Sequence, residues 1–86
     1  MRKTYSGDNL SEFFMNEQKR IINFSLACVN EFAKKHNLNA KDAFRYLAKF
    51  NGIRFLKENY EAEHTLSFDT IMEDIEILCK RNGGML

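Results

Sequence analysis

Residues 67–80, SFDTIMEDIEILCK, carry the clearest structural signal in the chain. Apolar residues recur there at intervals of three and four, the spacing that places side chains on one face of an α-helix. Ser67 suits the N-cap, and Gly83-Gly84 follows as an end signal. The stretch therefore predicts an amphipathic helix over residues 68–81. Its apolar face consists of Phe68, Ile71, Met72, Ile75, Leu78 and Cys79.

Two other segments show the helical period. Residues 16–36 predict a long helix, whose broad apolar stripe indicates contact with more than one neighbour. Residues 40–50 follow an N-cap at Asn39 and predict a second main helix. The stripe of the long helix contains Ile22, Leu26, Val29 and Ala33, widened by Ile21, Phe24 and Cys28. The face of the second helix contains Ala43, Phe44, Leu47, Ala48 and Phe50.

A short helix over residues 53–60 completes the prediction. It follows Asn51-Gly52, where Gly52 can adopt a positive φ and end the preceding helix. No stretch alternates with the period of a strand, and the chain contains no proline. We therefore expect an all-α fold, a small bundle of three main helices plus a short one.

The chain length of 86 residues is that of one domain. We expect a lead-in over residues 1–14, a single helical domain over 15–82 and a tail over 83–86. Phe13, Phe14 and Met15 are too apolar for a free tail, so they are expected to pack onto the body.

Charge and hydropathy exclude several classes of function. Thirteen basic and twelve acidic residues give a net charge of +1, which offers no general attraction to nucleic acid or membrane. No apolar run approaches the roughly 20 residues that cross a bilayer. Met1-Arg2-Lys3 is not followed by the apolar core of a signal peptide. We therefore expect a cytoplasmic protein without a membrane partner.

The two cysteines, Cys28 and Cys79, fall on apolar helical positions and are expected to be buried, reduced thiols. A disulfide between them would require the first and last helices to bring them face to face. Cys28 and His36 lie eight residues apart, about 12 Å along one helix, so a single zinc ion cannot bind both. We predict no metal and no cofactor.

A polar cluster at residues 60–65 is the main candidate site. If this segment is helical, Tyr60 and His64 share a face. A histidine beside Glu61 and Glu63 could act as a general base, which would make the protein an enzyme. We favour a structural or interaction latch formed by Tyr60, Glu61, His64 and Thr65. In that latch the tyrosine ring packs inward and the histidine bonds a backbone carbonyl between two helices.

The second and third helices, joined through a glycine turn, superficially resemble a helix-turn-helix. Arg45, Lys49, Arg54 and Lys57 would then contact DNA. Residues 37–64 carry five basic and four acidic residues, whereas a DNA-binding surface usually has a clear basic excess. A small DNA-binding regulator is therefore an alternative, and nucleic acid is the less favoured partner.

Aromatic content points to protein binding. Eight of the eleven aromatic residues are phenylalanine, a generous number for a bundle of this size. Either all eight belong to the core, or those left exposed mark the interface with a partner or with a second copy in a homodimer. The sequence leaves both alternatives open.

Residues 21–79 resemble the small bacterial domain-of-unknown-function family 3791. The resemblance rests on the Phe-, Cys- and Glu-Phe-Ala-containing segment 24–33, Leu38 to Ala43, Gly52-Ile53, Phe55-Leu56, and the segment 59–67 with Tyr60, Glu61, His64 and Thr65. Members are often encoded beside an ADP-ribosyltransferase-like protein. The resemblance implies a toxin–antitoxin pair, with this chain as a non-enzymatic partner that neutralises a toxin-like enzyme.

Overall fold

A computed structural model describes the backbone from Ser6 to Leu86 and the side chains from Asn16 onward. Within that range the all-α prediction is confirmed, and no strand is present. The five helices are α1 (Ser6–His36), α2 (Ala40–Lys49), α3 (Gly52–Glu58), α4 (Tyr60–Glu63) and α5 (Phe68–Arg81). None of these described helices is both long and apolar enough to cross a membrane.

The first helix begins at Ser6, ten residues earlier than predicted. No proline interrupts residues 6–15, so nothing in the backbone chemistry prevents the helix from extending there. The segment expected as a lead-in, residues 1–14, is therefore helical from Ser6 onward. The expected packing of Phe13, Phe14 and Met15 concerns side chains outside the described ones.

Capping residues set the ends of the helices where the sequence places them. The Asp42 amide donates to Asn39 Oδ1 at 2.8 Å, and the Thr70 amide donates to Ser67 Oγ at 3.2 Å. Asn37, just after α1, has a φ of 56°. These local signals are short-range hydrogen bonds, which is why the sequence alone identifies them.

The prediction that Gly52 takes the positive φ is wrong. Asn51 holds the left-handed conformation with a φ of 69°, and Gly52 is the buried first residue of α3. A Cβ on Gly52 would lie 2.9 Å from Leu47 Cδ2 and 3.2 Å from Cys79 Sγ. The glycine is needed because α2, α3 and α5 approach closely at this point.

The core surrounds the C-terminal half of α1, which packs against α2, α3 and α5. Each fully buried aliphatic or aromatic side chain stabilises the fold by about 1.5–3 kcal/mol relative to exposure. The Phe32 ring stacks on Tyr46 of α2 at a centroid distance of 5.6 Å. The largest fully buried side chains are Phe32, Leu47, Leu56, Ile71, Ile75, Cys28 and Cys79.

A polar contact joins the end of α1 to α5. Lys35 Nζ and His36 Nε2 each lie 2.9 Å from Glu76 Oε2. Burial alone would raise the pKa of Glu76, but the hydrogen bonds and positive charge at Lys35 and His36 outweigh it and lower that pKa. The carboxylate thus stays ionised and holds two helices together.

The last residues fold back on α2. The Leu86 amide donates to the Tyr46 hydroxyl at 3.0 Å, and the Gly84 amide donates to the Cys79 carbonyl at 2.8 Å. Gly83 has a φ of 102°, which turns the chain at the end of α5 as the Gly-Gly signal predicts. The segment 83–86 therefore lies against the body.

Candidate functional site

Four large exposed apolar side chains lie on α1, on α2 and at the start of α5. We call them the exposed apolar surface. Ile22 and Leu26 are each 51% exposed, Phe44 is 46% exposed and Phe68 is 42% exposed. The sequence places all four on core-facing stripes, and that part of the prediction is wrong. Hydropathy periodicity gives the direction of an apolar face, whereas the neighbouring helices determine how much of it they cover.

A groove of about 150 Å³ runs through this surface, between α1 on one side and α2 with α3 on the other. Its lining is almost entirely carbon, and Lys57 is its one charged lining residue. The Ser25 hydroxyl is buried in the groove wall and has no hydrogen-bond partner among the described residues. The lining consists of Ile22, Ser25, Leu26, Val29, Phe44, Ile53 and Lys57.

A wider and more polar hollow of about 550 Å³ adjoins the groove. It lies along the C-terminal half of α1 and reaches Ala40 of α2 and Phe68 of α5. Ala40 and Phe44 are one helical turn apart on α2, so the two depressions follow each other along the same helix. We refer to the two depressions together as the concave strip, which is apolar at the groove and mixed at the hollow.

The predicted latch residues form a local structure on α4. The Tyr60 ring is half-buried and meets Phe24 of α1 edge-on at a centroid distance of 5.4 Å. The exposed His64 ring stacks on Tyr60 at 4.4 Å, and its Nδ1 lies 2.7 Å from the Tyr60 carbonyl oxygen. That carbonyl lies four residues back in the same turn, so the expected bond between two helices is wrong. Thr65 Oγ1 donates to the Ala62 carbonyl at 2.8 Å, and Glu61 is exposed.

Glu63 is the buried member of this segment. Glu63 is 7% exposed, and its Oε1 has no hydrogen-bond partner among the described residues. Burial raises the pKa of Glu63 to about 7, helped by a hydrogen bond and like charge from Asp74 on α5. Only the enzyme alternative gave Glu63 a role, as a carboxylate beside His64. Its burial could not be anticipated, because no apolar period marks position 63.

Both cysteines are free and buried. Burial raises the pKa of Cys28 to about 12, with the carboxylates of Glu63 and Glu31 adding to the effect. Burial also raises the pKa of Cys79 to about 11, although a hydrogen bond from the Gly52 backbone acts in the opposite direction. These thiols are therefore protonated at neutral pH and poor nucleophiles. Among the described residues, no group of three or more His, Cys, Asp or Glu is placed to hold a metal.

The four cations of the DNA-binding alternative do not line one common surface depression. Lys57 lines the apolar groove beside α1, whereas Arg54 lines a hollow between α3 and the end of α5. Arg45 and Lys49 are exposed one turn apart on α2, and Lys49 Nζ lies 5.3 Å from the Phe50 ring centre. The described salt bridges involve α1 and α5, and none involves these four residues.

Charge is unevenly divided along the chain. Residues 40–57 carry five basic residues and one acidic residue, whereas residues 60–76 carry six acidic residues and no lysine or arginine. Counted over the whole helices, α2 and α3 carry five basic and two acidic residues, and α4 and α5 carry six acidic and two basic residues. The near-zero net charge therefore hides a basic α2–α3 segment and an acidic α4–α5 segment. A charge total conceals this division because it averages over the whole chain.

The fold and the surface define a small all-α bundle with an uncovered apolar strip. Residues 23–82 match the family model described as "Protein of unknown function (DUF3791)", and the chain belongs to that family. The resemblance carried by residues 24–33, 38–43 and 59–67 is thereby confirmed. No curated protein and no solved structure gives a significant match.

Proposed function

We propose that this protein is a non-enzymatic protein-interaction module that binds its partner through the exposed apolar surface. The observation that carries the proposal is the apolar groove, flanked by half-exposed Ile22, Leu26 and Phe44. Exposed apolar area of this kind is unfavourable in water, and a partner that covers it gains about 25 cal/mol for each Å² removed.

The polar cluster at residues 60–65 supports a non-catalytic role. His64 Nδ1 is engaged with a backbone carbonyl, and the ring is stacked on Tyr60. The two depressions of the concave strip are lined by neither of these residues. A general base needs a substrate held within hydrogen-bond reach, and this segment instead pins α4 to α1 through Phe24.

The kind of partner follows from the family resemblance. We infer that the protein acts in the cytoplasm of a bacterium as an antitoxin-like partner of a toxin-like enzyme encoded beside it. A compact bundle neutralises an enzyme by covering its active site, which requires a complementary surface and no chemistry of its own. The exposed apolar surface would supply the buried centre of such an interface.

The test is co-expression with the product of the adjacent gene, followed by size-exclusion chromatography. We expect the two chains to elute together at micromolar concentration. The double variant Ile22→Ser, Leu26→Ser should elute separately from the partner, because it removes the centre of the interface. The matched control is Ile77→Ser on α5, where the isoleucine is 53% exposed. The proposal is wrong if wild type and partner elute separately, or if Ile77→Ser is the variant that dissociates them.

A further inference from the structure

The structure points to an amphipathic helix with acidic flanks as the segment of the partner that occupies the groove. This inference rests on the proposed function, since it names the chemistry of the partner at the same surface. Three observations carry it: the shape of the groove, the charges at its rim and the distribution of charge over the rest of the chain.

The groove is small, about 150 Å³, so it can receive the anchoring side chains of a helix that lies across it and not the helix itself. It lies between α1 and the α2–α3 pair, and Ile22 and Leu26 are one turn apart along its α1 side. Phe44 and Ile53 form the opposite wall. An amphipathic helix fills such a groove with apolar side chains repeating at intervals of three or four residues. An extended strand would need an open sheet edge, and the described residues contain no sheet.

The rim of the concave strip is basic. Lys57 lines the groove itself, and Lys34 lines the adjoining hollow. Lys41 is exposed on α2, three residues before Phe44 and so on the same side of the helix. The one carboxylate in these linings, Glu31, lies 3.3 Å from Lys34 Nζ, so these two charges offset each other and the positive charge at the rim comes from Lys57 and Lys41. A helix with carboxylates beside its apolar face therefore meets complementary charge along the strip.

The same charges disfavour a second copy of this chain as the occupant. A twofold dimer buries the same patch on both subunits, so Lys57 and Lys41 of each copy would enter one interface. The acidic segment, residues 60–76, could meet the basic strip only head to tail, and such contacts tend to continue into open chains. An acidic helix of another protein complements the positive charge of the strip. It brings no like charges together and forms no open chain of subunits.

The probe is a pair of synthetic peptides titrated into the full-length protein by fluorescence anisotropy. Each has about 18 residues with leucine at the a and d positions of a helical repeat. One carries glutamate at the flanking positions and the other carries lysine there. We expect the acidic peptide to bind with a dissociation constant below about 1 mM and the basic peptide to bind at least about tenfold more weakly. Raising the salt concentration from about 50 mM to about 500 mM should weaken the binding of the acidic peptide and reduce the difference in affinity between the two peptides.

Matched variants assign the binding to the groove. The double variant Ile22→Ser with Leu26→Ser should weaken the binding of the acidic peptide by about tenfold or more. Ile77→Ser should leave that affinity unchanged. Lys41→Glu with Lys57→Glu, both at exposed positions, should remove or reverse the preference between the peptides. The inference is overturned if the two peptides bind equally, if neither binds below about 1 mM, or if Ile77→Ser weakens binding as much as the groove variant does.

Two further measurements separate the other occupants. Light scattering of the protein alone should give a monomer; a dimer that the groove variant dissociates would assign the surface to a second copy and overturn the inference. Co-sedimentation with vesicles of phosphatidylserine and phosphatidylcholine should leave the protein in solution; groove-dependent binding to them would assign the surface to a membrane and overturn it. The complex with the co-expressed partner could depend on Ile22 and Leu26 and yet be unaffected by salt and by Lys41→Glu with Lys57→Glu. In that case the proposed function holds and this inference fails.

Discussion

At the scale of single residues, the most consequential side chain is Glu63, a carboxyl group buried against another carboxyl group. Asp74 faces it from α5, and the acidic Glu31 and the buried Cys28 are the titratable groups on the α1 side. Two carboxylates in one poorly solvated place cannot both ionise without cost, which adds to the effect of burial in raising the pKa of Glu63 to about 7.

The contribution of Glu63 to the free energy of unfolding should therefore fall as the pH rises from about 4.5 to about 7. The pKa of Glu63 is raised to about 7 in the folded protein from 4.5, so its stabilising effect is complete below about pH 4.5. That effect is lost as the pH rises towards 7 and is absent above it. We expect Glu63→Gln to be more stable than wild type at pH 8 by about 1–3 kcal/mol, and the gap to narrow at pH 5. Urea unfolding followed by circular dichroism at the two pH values measures it.

The control for this experiment is Glu61→Gln, which changes an exposed carboxylate in the same helix. Its pH dependence should match that of wild type. Equal pH dependence in Glu63→Gln and wild type would contradict the account of the buried pair, since the slope reports the number of protons taken up on folding.

Gly52 gives a second prediction at this scale. Adding a methyl group to it brings Cβ within 2.9 Å of Leu47 Cδ2, in the fully buried centre of the bundle. We expect Gly52→Ala to lower the free energy of unfolding by about 1–3 kcal/mol, measured by urea denaturation.

The neighbouring exchange Asn51→Gly is its comparison. Glycine adopts the left-handed conformation of position 51 without steric cost, but the exchange removes the surface hydrogen bond from Asn51 to Asn82 at 2.9 Å. The net change in the free energy of unfolding should therefore stay within about 1 kcal/mol. A loss in Gly52→Ala no larger than that in Asn51→Gly would contradict the close approach of the helices at Gly52 as the reason for the glycine.

At the scale of elements, one carboxylate links α1 to α5 beside their shared apolar core. Glu76 Oε2 accepts from both Lys35 and His36, and its pKa is lowered. We expect Glu76→Gln to cost about 1–3 kcal/mol near neutral pH. A lowered pKa stabilises the fold above the unfolded value, so this difference should shrink as the pH falls below about 4.5. Thermal unfolding at pH 7 and pH 3.5 checks the prediction.

Glu31→Gln is the matched control, because Glu31 pairs with Lys34 within α1 and does not join two helices. Its cost should remain below about 0.5 kcal/mol. If Glu31→Gln and Glu76→Gln prove equally costly, the bridge between the helices contributes no more than a surface pair.

The elements themselves were largely predictable from the sequence, because helices are specified by local signals. The N-caps at Asn39 and Ser67 and the left-handed Asn37 are examples, since each depends on residues within one turn. The extension of α1 to Ser6 was missed because periodicity detects apolar faces and not helical backbone as such. The buried position of Gly52 at the start of α3 was not predicted, because the close approach of three helices depends on tertiary packing.

The candidate surface was less predictable for the same reason. Ile22, Leu26 and Phe44 have the spacing of core residues, and only the arrangement of the neighbouring helices leaves them exposed. The sequence did raise the alternative that some aromatics remain outside the core. Of the phenylalanines whose side chains are described, Phe32 is fully buried while Phe44 and Phe68 are 46% and 42% exposed.

At the scale of the whole molecule, the chain combines an uncovered apolar strip with a division of charge. The groove is lined by residues of α1, α2 and α3, and none of the acidic residues of segment 60–76 is in its lining. This arrangement gives a partner both a place to bury apolar area and an electrostatic preference for orientation. It also explains why a net charge of +1 is a poor guide to the partners of this protein.

Methyl NMR of the isoleucine- and leucine-labelled protein, titrated with the product of the adjacent gene, reads the binding site directly. We expect the largest chemical-shift changes at the methyl groups of Ile22 and Leu26, with Ile77 on α5 unchanged. Shifts concentrated at Ile77, or an unchanged spectrum at saturating partner, would contradict the account.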